Sequence, residues 1–97
     1  MANTPTAAQK RYFAQVVNLG CRACRNLGYE DSPAEIHHLQ GQLGKRDHDR
    51  VIGLCPNHHR NGPFAIHNQN DYDWKRYTGE SEEEMWWNTK KEIECLL

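Results

Sequence analysis

No apolar run in the 97 residues approaches the roughly 20 that a helix needs to cross a bilayer. The opening MANTPTAAQK also lacks a basic region followed by an apolar stretch, so a secretory leader is not expected there. These absences point to a soluble intracellular domain and set membrane functions aside. Strong net charge is missing too, since the formal total is −1, and overall charge therefore selects no partner. Apolar residues make up only 37% of the chain against 26% charged, so a core of side chains alone would be thin and a staple is expected. Internal repeats and low-complexity segments are lacking, which leaves one domain over residues 1–97.

The residues that are present are punctuated in an informative order. Thr6 can cap a first helix in which Tyr12, Phe13, Val16 and Val17 recur at helical spacing up to Gly20. The stretch CRACRNLGYEDSP is polar and turn-rich, and is expected to form a cysteine knuckle and loop without regular structure. AEIHHL and RVIGL are short enough to be the strands of a hairpin joined by QGQLGKRDHD. NGP then breaks any helix, the helical pattern resumes near 68–71, and Ser81 with Glu84 marks a capping box for a last helix. The expectation is an α+β domain: an N-terminal helix in 1–20, knuckles and hairpin in 21–67, and C-terminal helices in 68–97.

Charge is unevenly spread. Residues 1–62 hold eight Lys/Arg against five Asp/Glu, and residues 63–97 hold four against eight. A basic front half joined to an acidic tail suits a phosphate backbone on one face only.

The staple is legible in Cys21-x2-Cys24 and, thirty residues later, Cys55-x2-His58. Each pair lets two donors of one turn point at a single ion, and two such pairs fill the tetrahedral shell of a structural zinc. In a reducing compartment this reading is favoured over disulfides. Cys95 has no partner at ligand spacing, and in IECLL it is expected to pack within the last helix.

With Cys55 and His58 committed, His59 remains, together with the adjacent His37 and His38. Successive side chains of a strand point to opposite faces, so one of the pair can bind a metal while its neighbour faces a substrate. A metal ligand beside a general base is what hydrolysis of a phosphodiester requires.

At these residues, EIHHLQ and VIGLCPNHH, the chain resembles the His-Asn-His or ββα-metal endonucleases in their zinc-knuckle form. CRAC, SPAEIHHL, GKR, LCPNHHR, AIH and W-x2-YTG resemble, in order, the phage recombination-enhancement nucleases of the Ref family, over about residues 20–95. That resemblance implies a small zinc-stabilised fold, a DNA endonuclease, and action with a RecA filament in the cytoplasm of a bacterial or phage-infected cell. It implies His37 and His59 as ligands of a catalytic divalent ion, Mg²⁺ or another, and His38 as general base. His67 is the implied third ligand, displaced from the turn after His59 by RNGPFAI.

Nine residues before His59 the family usually has Asn; this chain has Arg50, next to Asp49, which could hold the imidazole of the base instead. DNA binding is expected from Lys45, Arg46, Arg60, Arg22 and Arg25 against phosphates, by a monomer that reads few bases. The alternative is a zinc-knuckle module that binds nucleic acid or protein without cutting.

Overall fold

Two four-residue strands hold the centre of the chain. In the computed structural model, which describes residues 4–30, 32–39 and 47–96, β1 (Glu35–His38) pairs antiparallel with β2 (Val51–Leu54). The register sets Glu35 against Leu54, Ile36 against Gly53, His37 against Ile52 and His38 against Val51. Opposite residues share a face, so Glu35 and His37 project with Ile52 and Leu54, whereas Ile36 and His38 project with Val51.

Every residue of β2 is buried, which requires covering layers on both faces. Ile52 and Leu54 enter a cluster with Leu39, Ile66, Trp74, Met85 and three knuckle cysteines. Val51 packs instead with Val16 and Ile93, flanked by Tyr12, Phe13 and Leu19. Gly53 allows the first helix to come this close, because a Cβ there would lie 3.2 Å from the Val16 carbonyl oxygen and 3.1 Å from that of Gly20.

Helix α1 (Ala7–Asn18) starts at a capping box made by Thr6 and Gln9. Residues 22–27 correct one expectation: they form a short helix, α2 (Arg22–Leu27), because the Cys21 sulfur accepts from Cys24 N–H as a cap and Gly28 closes the other end at φ 78°. After β2 the chain makes one wide π-type turn, Asn57–Asn61, and a separate 3₁₀ turn, Ile66–Asn68, with the expected break at NGP between them. Gly62 ends the wide turn under tight constraint, since a Cβ would lie 2.6 Å from Asn57 O.

Helices α3 (Asp71–Thr78) and α4 (Glu82–Cys95) follow, the latter entered through the expected Ser81/Glu84 box. Cys95 does not pack: it is exposed, because the buried stripe of α4 ends at Ile93. Among the described residues no helix is long and apolar enough to cross a membrane.

A polar clamp joins the knuckle to the C-terminal helices. Arg22 donates to both carboxylate oxygens of Glu80, at 2.8 and 2.9 Å, and to Glu92 at 2.9 Å, while Arg25 also donates to Glu92. Asn26 and Asn88 donate to Glu80 as well. Burial pushes the Glu80 carboxyl upward, but the hydrogen bonds from Arg22, Asn26 and Asn88 outweigh it and hold the group at about 2 instead of 4.5. A carboxyl held down in the fold stabilises it above its unfolded value, and that contribution is lost as pH falls toward the folded value. Glu80→Gln should therefore be less stable than the parent above about pH 4.5, with the gap closing on acidification. Parallel denaturant titrations measure the gap as a difference in which loss of metal, common to both proteins, cancels; a gap independent of pH would contradict the clamp.

Candidate metal centres and active site

The first centre is made where α2 and the turn after β2 meet. Cys21, Cys24, Cys55 and His58 are all buried, and their donor atoms lie within 4.8 Å of one another. A tetrahedral zinc with bonds of about 2.3 Å to sulfur and about 2.0 Å to nitrogen sets its donors roughly 3.5–3.8 Å apart. Here Cys24 Sγ is 3.8 Å from Cys55 Sγ, and His58 Nδ1 is 3.7, 3.4 and 3.3 Å from the sulfurs of Cys21, Cys24 and Cys55.

A bound cation would change the protonation of this pocket. Burial pushes the Cys21 thiol up to about 12, so deprotonation in this place needs a compensating positive charge. Burial also lowers the His58 imidazole, which favours the neutral form that ligates. Tyr77 Oη lies 3.1 Å from His58 Nε2 and keeps Nδ1 turned to the sulfurs. The residues fit a structural zinc in number, donor type and spacing.

The second centre uses the next residue of the same turn. His37, His59 and His67 bring ring nitrogens within 4.8 Å of one another, with ring centroids 5.1, 5.0 and 5.0 Å apart. Three imidazoles on one ion, with metal–nitrogen bonds of about 2.1 Å, would place their centroids roughly 4.6–5.3 Å apart, so the triangle fits a shared divalent ion. Ile66, buried in the core, anchors the returning segment, and Phe64 stacks on Tyr77. The His67 imidazole is lowered by burial and by His37 and His59, with Glu82 opposing.

His38 lies on the other face of β1, edge-on to Phe13 of α1. Residues of both faces nevertheless line one cavity of about 410 Å³, formed by Phe13, Ile36, His37, His38, His59 and His67. His48 Nδ1 lies 2.9 Å from His38 Nε2. Asp49, the residue expected to hold the base, turns elsewhere: its carboxylate accepts from Gln9 and its carbonyl accepts from Trp86 Nε1.

The cations expected on DNA divide. Arg22 and Arg25 pair with Glu80 and Glu92 and so take part in the clamp. Arg60 is exposed beside the second centre and pairs with Glu35 at 3.1 Å. Lys45 and Arg46 lie outside the described residues.

Three polar partners escaped the sequence reading. Glu35 Oε1 is 2.6 Å from His59 Nδ1, and its place two residues before His37 on the same strand face was a usable signal. Glu82 Oε2 is 2.6 Å from His37 Nε2 across 45 residues of sequence, a contact with no local signature. His48 stands in the turn-rich DHD stretch and differs from its neighbours only in being buried.

With this geometry in place, the comparisons are specific. The model of the family described as recombination enhancement, RecA-dependent nuclease matches residues 5–81, well over half of the chain. No curated protein matches.

The first centre yields a direct test. Structural zinc contributes apparent binding free energy on the order of ten kcal/mol that appears as folding stability. Cys24→Ser or Cys55→Ser should therefore abolish stoichiometric zinc and the cooperative thermal transition together. Calorimetry alongside metal analysis checks this, and a variant that unfolds at the parent's Tm would remove the zinc from the account.

Proposed function

This chain belongs to the recombination-enhancement, RecA-dependent nuclease family, so it is a phosphodiester hydrolase of recombination, and from that premise we propose how it cuts DNA. The substrate is DNA cleaved internally, in phage recombination or repair, with His38 as general base beside one catalytic divalent ion held by His37, His59 and His67. What carries this reading is the triangle of three imidazoles opening into the same cavity as a fourth histidine on the opposite strand face.

His38 takes a proton from water held in line with the scissile bond, work suited to an imidazole because it titrates near neutrality. His48 and Phe13 keep that ring in place, the support first assigned to Asp49. A divalent ion held by His37, His59 and His67 would supply positive charge that offsets the negative charge developing on the phosphate and its leaving group. Water adds to phosphorus, the P–O3′ bond breaks, the 3′ oxygen takes a proton from solvent and His38 later returns its own to solvent, giving 5′-phosphate and 3′-hydroxyl ends. Glu35 holds His59 and Arg60 together, so the same carboxylate orients a ligand and an exposed cation that meets the DNA backbone.

RecA dependence enters through the family's description, and the partner proposed is a recombinase filament on DNA. A binding module that never cuts accounts for the Cys3His cluster but gives the histidine triangle no task.

His38→Ala separates the two. It leaves both ligand sets intact, so the thermal transition should shift little while nicking of supercoiled or filament-bound DNA falls by about a hundredfold or more, the scale of a lost general base. Single-turnover cleavage with and without a RecA filament reads the effect; parental rates in both conditions would exclude His38 as the base.

A further inference from the structure

Glu82 is the first residue of α4 and stands one position beyond the stretch matched by the family model. It is only 8% exposed, an uncommon state for a carboxylate, and such groups are found inside when something holds the charge. Its Oε2 lies 2.6 Å from Nε2 of His37, which is itself 1% exposed.

That distance decides between two roles. Two ligands of one octahedral ion with bonds of about 2.1 Å would stand roughly 3 Å apart. A separation of 2.6 Å belongs instead to a charge-assisted hydrogen bond, in which the ring N–H donates to the carboxylate. Glu82 also falls outside the group of donors that lie within 4.8 Å of one another.

We propose that Glu82 is a positioning residue that holds the proton of His37 on Nε2, so that His37 ligates the catalytic ion through Nδ1 and the C-terminal helix becomes part of the metal site. The inference rests on the reading of the histidine triangle as that ion's site. A carboxylate behind an imidazole ligand fixes the tautomer, orients the ring and raises its basicity.

The position of Glu82 is itself well determined. Ser81 and Glu84 cap the helix reciprocally and fix its first turn. Two residues upstream, Glu80 is gripped by Arg22, the neighbour of the zinc-type ligand Cys21. The carboxylate is thereby tied through a short stretch of backbone to the knuckle, so the first centre helps to place a group that serves the second.

The test compares the parent, Glu82→Gln and Glu82→Ala, each confirmed by metal analysis and thermal unfolding to retain the structural zinc. Gln keeps an acceptor without the charge and preserves the helix start should Ala weaken it. Mn²⁺ affinity, followed by electron paramagnetic resonance, should fall roughly ten- to a hundredfold in Ala and less in Gln. Long-range ¹H–¹⁵N correlation spectra of the protein without Mn²⁺, near pH ~8.5 where an ordinary imidazole is neutral, should show His37 protonated on Nε2 in the parent. In Glu82→Ala that preference should be lost. Parental Mn²⁺ affinity in both variants, or His37 protonated on Nδ1 in the parent, would overturn the proposal. A parent that binds no Mn²⁺ at the triangle would instead contradict the catalytic reading, and the tautomer measured without metal would still decide the role of Glu82.

Discussion

Closure of Cys21, Cys24, Cys55 and His58 around one point is the constraint on which the rest of the molecule depends. The hairpin is four residues a side, shorter than a strand pair that is stable by itself, and its two covering clusters are small. A tetrahedral ion held between residues 21–24 and 55–58 would replace the apolar area that a chain of this composition cannot supply. It also fixes the start of the turn from which the second centre is built.

The two His-His doublets then have a common explanation. On β1, a step of one residue carries the chain from His37, facing His59 and His67, to His38, facing α1. In the wide turn after β2, a step of one residue carries it from His58 in the first centre to His59 in the second. Each doublet places one side chain in each of two environments. One extra residue in a π-type turn is a local distortion that recurs at functional sites, where it re-aims side chains without moving the element that bears them.

The legible parts were those written in local spacing. The Cys-x2-Cys and Cys-x2-His pairs, the strand alternation at His37 and His38, and the Ser81/Glu84 cap all depend on residues three or fewer positions apart. The short helix α2 was missed because its composition is that of a loop and its cap is a sulfur, an acceptor that propensity does not describe. Arg22 and Arg25 looked like surface cations until Glu80 and Glu92, more than fifty residues away, were brought against them. His48 and Glu82 were missed for the same reason: tertiary placement gives them their contacts, and Glu82 read naturally as a helix-dipole charge in ESEEE.

The central claim is that one chain builds two separate metal shells from adjacent residues, and His67 is where it is most exposed to test, because RNGPFAI removes ordinary helical spacing from His59. Native mass spectrometry of the zinc-loaded chain during addition of Mn²⁺ counts both shells at once. The account predicts one retained zinc in parent and His67→Ala alike, with a second ion that needs roughly ten- to a hundredfold more Mn²⁺ in the variant. Superimposable Mn²⁺ titrations would contradict it, since His37 and His59 would then hold the ion without the third ring.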